Sequence, residues 1–395
     1  MPQRDVVILS GVRTAIGDYG GSLKDFAPSD LGAKVIREAV ARSKIDPASV
    51  GQVVFGNVIH TEPRDMYISR VAAVNGGLPH DTGAMTVNRL CGSGMQAIVS
   101  AAQYILLGET DTAVAAGAES MSRALYGSSS QRWGARMGDA KMMDMMVGAL
   151  TDPFDTIHMG LTAENVAAKC SFTRAVQDEF AVESHRRASK AVAAGLFKEQ
   201  ILPIEIKSKK GPIAFDTDEH VRSDATVEGM AKLKAVFQKE NGTVTAGNAS
   251  GINDAAAAVV LMDRAAAEAK GLKPMARLVA YGHAGIDPKI MGLGPVSAVK
   301  RALAKANLKI SDLDVIESNE AFAAQAMGVS KELGLDGLKV NPNGGAVALG
   351  HPIGATGCIL TIKAMYELQR SGGRYALITM CIGGGQGIAA IIERM

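Results

Sequence analysis

Cys91 stands between an apolar strand and a predicted helix, at the start of the sequence Cys-Gly-Ser-Gly. The dipole and free N–H groups at a helix N-terminus favour a thiolate and lower the thiol pKa from its free value of about 8.5. The glycines that follow allow a substrate to approach the backbone closely. The pattern indicates a nucleophile, but a small buried core residue also explains it, because free cysteines are among the most buried residue types.

Two further segments combine a reactive side chain with closely spaced glycines. Cys381 ends an apolar strand and begins Cys-Ile-Gly-Gly-Gly-Gln-Gly, which predicts a tight turn whose exposed N–H groups could stabilise an oxyanion. His351 lies in Gly-His-Pro-Ile-Gly at a predicted helix start, with Pro352 suited to the first helical position. An imidazole there could act as the general base for a nearby thiol. A buried cysteine beside a hairpin and a structural histidine remain the alternatives.

Asn319 follows the predicted strand Asp314–Glu317 in the sequence Ser-Asn-Glu-Ala-Phe. A carboxamide at the end of a strand can hold a water or a carbonyl group, whereas a helix N-cap is the ordinary alternative. The remaining histidines show no metal-ligand spacing, and no cysteine lies two residues from another, so we predict no metal centre. No glycine-rich loop fits a Walker A or dinucleotide-binding fingerprint.

The elements that would position these residues occur twice along the chain. Each copy has a strand, an Asn, a glycine-rich helix start, a long helix and a second strand. In the first copy the strand is 53–56, the Asn is residue 57, the helix start is 91–94, the helix is 93–107 and the second strand is 112–116. In the second copy the same elements are 314–317, residue 319, 350–357, 355–370 and 375–380. We interpret this as a duplication of one α/β unit. Packing the copies back to back would turn the C-terminal strand ends of both towards one cleft.

The duplication also reveals an insertion. The second copy passes directly from Tyr375–Met380 to its last strand, Ile388–Ile392. In the first copy, well over a hundred residues separate Thr112–Ala116 from the matching strand Ala257–Met262. We therefore predict an N-terminal half of residues 1–119 and 250–270, an inserted loop domain of residues 120–249, and a C-terminal half of residues 271–395.

Composition excludes several classes of protein. The chain has 395 residues, with 42 Lys+Arg against 40 Asp+Glu, so it offers no broad electrostatic surface for nucleic acid or an anionic membrane. Its four cysteines do not make a disulfide framework in a chain of this length. The N-terminal segment becomes polar after Leu9, too early for a signal peptide or a membrane span. We expect a cytoplasmic protein.

Four blocks resemble, in order, the signature blocks of the thiolase family (acetyl-CoA C-acyltransferases). They are Asn88–Gly94, Asn319–Phe322, Gly350–Pro352 and Cys381–Gly384, and the similarity extends over the whole chain. The resemblance implies an α/β fold in which duplicated halves stack in αβαβα layers with an inserted loop domain. It also implies a homotetramer built as a dimer of dimers.

The resemblance further implies the roles of the site residues. Cys91 accepts the acyl group after His351 takes its proton, and Cys381 removes a Cα proton from acetyl-CoA. The N–H groups of Cys91 and Gly383 stabilise the tetrahedral oxyanion, and Asn319 holds a water beside the enolate oxygen. Coenzyme A lies on the inserted loop domain. The residues expected along its path are His158, Met159, Arg222, Ala246, Ser250, Met291 and Ala321.

The implied activity is the reversible Claisen condensation of acetyl-CoA with acetyl-CoA or a short acyl-CoA, and thiolysis of 3-oxoacyl-CoA. CoA thioesters are then substrates, with no permanently bound cofactor. Residues Gly56–Tyr67 depart from the pattern of acetoacetyl-CoA thiolases and look more like bacterial β-ketothiolases that accept longer acyl chains. Two alternatives are a decarboxylating ketosynthase, which needs a histidine where Asn319 stands, and an acyl-CoA-binding scaffold, which usually lacks a reactive residue.

Overall fold

The computed structural model describes residues 4–208 and 211–395 of the chain. Its strands are β1 Val6–Thr14, β2 Gly17–Asp18, β3 Gln52–Gly56, β4 Gly83–Val87, β5 Thr112–Ser120, β6 Tyr126–Gly127, β7 Met143–Asp144, β8 Ile201–Leu202, β9 Ile204–Ser208, β10 Gly211–Phe215, β11 Asn253–Asp263, β12 Ala276–Gly285, β13 Val315–Ser318, β14 Tyr375–Ile382 and β15 Gln386–Arg394. Its α-helices are α1 Pro28–Ser43, α2 Ile68–Asn75, α3 Ser93–Leu106, α4 Met145–Ala149, α5 Met159–Cys170, α6 Arg174–Ala193, α7 Val227–Ala231, α8 Arg264–Ala269, α9 Gly294–Ala306, α10 Ala323–Leu333, α11 Ala346–Leu349 and α12 Thr356–Ser371.

The main sheet repeats one pairing pattern in two halves. In the first half, β3 is parallel to β4 and β5, and β5, β11 and β1 are successively antiparallel. In the second half, β13 is parallel to β14, and β14, β15 and β12 are successively antiparallel. Val340 takes the place of β4 through a parallel bridge to Ile316. The predicted duplication of an α/β unit is therefore confirmed.

Helices α3 and α12 lie between the two halves. α3 packs on β3 and β5, and α12 packs on β13 and β14 as well as on β1, β5 and β11 of the first half. α1 covers the first half and α9 covers the second. This arrangement confirms the predicted αβαβα layers. Because β5 and β11 are buried along their whole length, they carry continuous runs of small apolar residues rather than an alternating pattern.

The starts of α3 and α12 approach each other so closely that glycine is required. A Cβ atom on Gly357 would lie 2.0 Å from the backbone nitrogen of Met95. One on Gly94 would lie 2.9 Å from the backbone nitrogen of Cys358. The two helix starts therefore meet through backbone atoms, and the loops that precede them, with Cys91 and His351, enter the same region.

The segment between β5 and β11 is attached to the layers by buried contacts. Arg13 of β1 is fully buried and pairs with Asp218 at 2.7 Å, while its guanidinium lies 5.2 Å from the ring centre of Phe197. α6 contacts α10 and α11 of the second half. The domain division at residues 119, 249 and 270 stays a prediction. No helix in the described parts of the chain is long and apolar enough to cross a membrane.

The close contact between α3 and α12 makes a testable prediction. Gly357→Ala should lower the free energy of unfolding by about 1–3 kcal/mol, because its methyl group can fit only if the two helices separate. Gly337→Ala is the control, since its Cβ atom would meet nothing within 4 Å. Thermal unfolding of both variants measures the effect, and an equal shift in the two would contradict this account of the contact.

Candidate active site

Cys91, His351 and Gly383 lie on the wall of one cavity of about 560 Å³. Cys91 is in the connection from β4 to α3, His351 lies between α11 and α12, and Gly383 is in the turn between β14 and β15. The same wall carries all seven residues predicted to contact coenzyme A, which are His158, Met159, Arg222, Ala246, Ser250, Met291 and Ala321. The remaining two predicted residues, Cys381 and Asn319, are buried at the ends of β14 and β13.

Two backbone N–H groups donate hydrogen bonds to the Cys91 sulfur. Leu90, directly before it, has φ of +44°, an uncommon value for a residue other than glycine. Burial raises the pKa of the Cys91 thiol to about 11, and the negative charge of Glu119 adds to this effect. Hydrogen bonds from the N–H groups of Gly383 and Cys91 act in the opposite direction. The free site therefore holds a neutral thiol beside two N–H donors that could also stabilise an oxyanion.

His351 is held by hydrogen bonds at its backbone and its ring. Its N–H donates to Oδ1 of Asn253 at 3.0 Å, and its Nδ1 lies 2.7 Å from Oγ1 of Thr356. The Thr356 hydroxyl also lies 3.1 Å from the carbonyl oxygen of Pro352; in the tautomer in which it donates there, Nδ1 carries the ring proton and Nε2 keeps its lone pair. Burial lowers the pKa of His351 to about 4, so the ring is neutral at pH 7 and could accept a proton.

Asn319 and Cys381 complete the group behind the cavity wall. Nδ2 of Asn319 lies 3.5 and 3.4 Å from Nδ1 and Nε2 of His351. Its Oδ1 is buried and has no hydrogen-bond partner in the described parts of the chain, which is the condition under which a buried carboxamide binds a water. Burial raises the pKa of Cys381 well above its ordinary value, and the nearby Cys91 contributes to that rise.

The wall predicted to contact coenzyme A combines aromatic, apolar and cationic side chains. His158 caps α5, with its Nδ1 accepting from the N–H of Gly160 at 3.0 Å, and its ring stacks on Phe237 with centres 4.6 Å apart. Arg222 is 60% exposed and lies 3.5 Å from Asp18. A largely apolar wall that also carries a cation suits a long ligand that has an anionic group. No cluster of His, Cys, Asp and Glu that could hold a metal occurs within the described ranges.

Sequence reasoning missed Glu119 and Phe237. Glu119 follows the small apolar run of β5, one residue before the end of the strand, and is fully buried. Burial raises the pKa of Glu119 to about 8, although hydrogen bonds from the N–H groups of Ile59, Gly354 and Val58 act to lower it. The sequence signal that could have identified Glu119 is a single carboxylate directly after an apolar run in a strand. Phe237 lies in a charged loop, where an isolated aromatic residue gives little indication of a stacking partner.

Comparison with known sequences places the chain in a family. The thiolase N-terminal domain matches residues 6–265, and the thiolase C-terminal domain matches residues 272–394. The chain belongs to the thiolase family. This finding confirms the resemblance seen in the four sequence blocks.

Individual relatives and structures cover nearly the whole of this thiolase. It is 69% identical over 392 residues to Beta-ketothiolase BktB of Cupriavidus necator, and the alignment covers 99% of this chain and 100% of that protein. It is 48% identical over 392 residues to the acetyl-CoA acetyltransferase of Chromobacterium violaceum, with coverage of 99% and 100%. The crystal structure of human mitochondrial 3-ketoacyl-CoA thiolase superposes with a TM-score of 0.98 at 43% identity and covers 100% of both chains. The structure of human mitochondrial 3-ketoacyl-CoA thiolase in complex with CoA has a TM-score of 0.96 at 43% identity, covering 100% of this chain and 98% of that one.

The protonation states of this thiolase make a second prediction. Because the thiolate is the reactive form and the pKa of Cys91 is about 11, alkylation of Cys91 by iodoacetamide should accelerate about tenfold per pH unit from about pH 6 to pH 9. Peptide mapping by mass spectrometry after timed alkylation gives the rate. The Cys91→Ser variant measures background labelling of the other cysteines. A rate that stays level across this range would indicate a thiolate–imidazolium pair and contradict the prediction.

Proposed function

We propose that this thiolase is an acyl-CoA:acetyl-CoA C-acyltransferase, a β-ketothiolase that condenses acetyl-CoA with acetyl-CoA or a short acyl-CoA and cleaves 3-oxoacyl-CoA with CoA. The observation that carries the proposal is the convergence of the Cys91 thiol, two N–H donors and the neutral His351 ring in one cavity. The identity of 69% to a protein named Beta-ketothiolase supports it.

The first half of the reaction forms an acyl-enzyme. Nε2 of His351 takes the thiol proton as the Cys91 sulfur attacks the thioester carbonyl. Since both groups rest in their neutral forms, proton transfer accompanies the attack. The N–H groups of Cys91 and Gly383 stabilise the negative oxygen of the tetrahedral intermediate. The C–S bond to coenzyme A then breaks, and the proton on His351 passes to the departing CoA thiolate.

The second half forms the carbon–carbon bond. Cys381 first gives its thiol proton to Nε2 of His351 and, as the resulting thiolate, takes a Cα proton from acetyl-CoA, whose thioester makes that proton more acidic than in an oxoester. His351 and a water held by Oδ1 of Asn319 stabilise the enolate oxygen. The enolate carbon attacks the acyl carbonyl, the bond to the Cys91 sulfur breaks, and the proton held by His351 passes to the Cys91 thiolate while Cys381 keeps the Cα proton. This proton balance restores both cysteines to their starting states.

The shape of the cavity supports acyl chains longer than acetyl. Cys91 packs in an apolar cluster with Met121, Leu150, Ile252 and Ile353, and these four side chains also line the cavity. An acyl group on the Cys91 sulfur would therefore extend into apolar surroundings. Each buried CH₂ group contributes about 0.8 kcal/mol of binding energy.

Assembly and location also form part of the proposal. The chain acts as a homotetramer, built as a dimer of dimers, and coenzyme A lies on the inserted loop domain, with the seven residues named above along its path. The segment after β5 supports further association, because it exposes Tyr126, Trp133, Met137 and Phe154, with Trp133 92% and Met137 96% exposed. We place the enzyme in the cytoplasm, where reducing conditions keep Cys91 and Cys381 as free thiols.

The separate roles of the two cysteines provide a third prediction. Cys381→Ser should keep acylation of Cys91 by acetyl-CoA while lowering the rate of condensation by about 10²- to 10⁴-fold, since only the second step needs its thiolate. Cys91→Ala should abolish both. Mass spectrometry detects the acyl-enzyme, and loss of acetoacetyl-CoA absorbance measures turnover. Normal turnover by Cys91→Ala would contradict the assignment, as would equal loss of both steps in Cys381→Ser.

The apolar cluster around Cys91 leads to a fourth prediction. In thiolysis of 3-oxoacyl-CoA substrates with four to eight carbons in the acyl part, kcat/KM should stay within about tenfold of the acetoacetyl-CoA value at least to about six carbons. Leu150→Trp should reduce kcat/KM for the longer substrates selectively, because it fills the cavity beside Cys91. A sharp fall beyond acetoacetyl-CoA in the unmodified enzyme would contradict the broader acyl range.

A further inference from the structure

The internal duplication gives Glu119 a counterpart in the second half. Gly56 of β3 pairs with Gly117 of β5, and Ser318 of β13 pairs with Thr379 of β14. Glu119 lies two positions after Gly117, just as Cys381 lies two positions after Thr379. The position that carries Cys381 in the second half therefore carries the carboxylate of Glu119 in the first half.

The Glu119 carboxylate is buried and accepts four hydrogen bonds. Oε1 accepts from Nδ2 of Asn57 at 3.1 Å and from the N–H of Ile59 at 2.9 Å. Oε2 accepts from the N–H of Val58 at 3.2 Å and from the N–H of Gly354 at 2.8 Å. All four partners are donors and an ionised carboxylate provides only acceptors, so these contacts favour the ionised form and oppose the rise in the pKa of Glu119 that burial causes.

One of these bonds reaches the loop that carries His351. Gly354 lies three residues after His351, and a Cβ atom there would come within 2.7 Å of Oε2 of Glu119 and 2.9 Å of the carbonyl oxygen of Ala118. The loop that carries His351 and Gly354 therefore packs directly against the end of β5. On its other side, Asn253 accepts the N–H of His351. Glu119 and Asn253 together hold the loop between β5 and β11 of the first half.

We infer that Glu119 is a positioning residue for acyl transfer: its carboxylate joins the loop at residues 351–356 to the turn at residues 57–59 and thereby sets the place of the His351 ring relative to Cys91. The inference rests on the proposed role of His351 as the base for Cys91. Glu119 acts through His351 and does not itself contact the substrate.

The chemistry of the side chain distinguishes this role from general packing. A glutamine at this position keeps the size but presents one oxygen and one NH₂ group. The NH₂ group would then face two N–H donors, either those of Asn57 and Ile59 or those of Val58 and Gly354. The loop or the turn must move to relieve the contact, and a displacement of about 1 Å at a reacting group can cost about 10²-fold in rate.

The experiment compares Glu119→Gln with Asp65→Asn in the full-length enzyme. Asp65 is an equally buried carboxylate, but its partners are the N–H and hydroxyl of Thr61 and the N–H of Glu62, all within its own turn. The readouts are kcat and KM for thiolysis of acetoacetyl-CoA, the rate of Cys91 acylation by acetyl-CoA, and the thermal unfolding midpoint. All rates are measured below the midpoints of both variants.

We expect Glu119→Gln to lower kcat and the acylation rate by about 10- to 100-fold with KM within about threefold of the parent. Asp65→Asn should keep kcat within about threefold of the parent, because its three donors converge on Oδ2 and the amide oxygen of asparagine can take that place. Unchanged kcat and acylation in Glu119→Gln would overturn the inference, as would losses no larger than those of Asp65→Asn at a similar midpoint.

Two further measurements keep the outcome interpretable. If Glu119→Gln does not fold, Asn57→Ser replaces it; this variant removes one donor and should lower kcat in the same direction, whereas an unchanged kcat overturns the inference. If the parent enzyme shows no thiolysis or condensation, the proposed function itself fails. Alkylation of Cys91 by iodoacetamide still tests the positioning role then, since a misplaced His351 should change its rate in Glu119→Gln and not in Asp65→Asn.

Discussion

The structure depends on the backbone contact between the starts of α3 and α12. Gly94 and Gly357 leave no room for a side chain between the two helices, so the loops before them are brought within one cavity. Each loop comes from a different half of the duplicated fold. The cysteine and the histidine can therefore meet only when both halves are complete and packed at native density. Other glycines among the 44 of the chain have a different use: Gly384 and Gly385, both with positive φ, form the turn between β14 and β15.

Burial, more than ion pairing, sets the chemistry of the site. It raises the pKa of Cys91, lowers that of His351 and raises that of Cys381, so the resting groups are neutral. In a buried site the local dielectric is low, which strengthens each hydrogen bond to a charge that appears during the reaction. In the proposed mechanism, the N–H groups of Cys91 and Gly383 already lie beside the Cys91 sulfur and need no reorganisation. The site therefore bears the free-energy cost of a buried charge only during the reaction, when the charge is spread over the substrate and the enzyme groups that bind it.

Much of the fold and part of the site could be predicted because their signals are local. Cys91 and His351 stand beside glycines at helix starts, and the apolar strands before them are continuous runs. Helix α10 was outside the predicted elements, since its buried face is built from small and polar residues, including Gln325 and Gly328, which carry little helical pattern. Glu119 was missed for a different reason. Three of its partners are backbone N–H groups, which no side-chain pattern reveals.

The two halves close the same pair of strands in very different ways. In the second half, β14 and β15 are joined by the short turn at residues 383–385, so this hairpin is a local contact. In the first half, β5 and β11 are joined only through residues 121–252, which include most of the cavity wall. Closing so long a loop costs more entropy and slows the formation of the pair. The hairpin of the second half can therefore serve as an early folding nucleus, and the first half becomes complete only as the cavity wall takes its place.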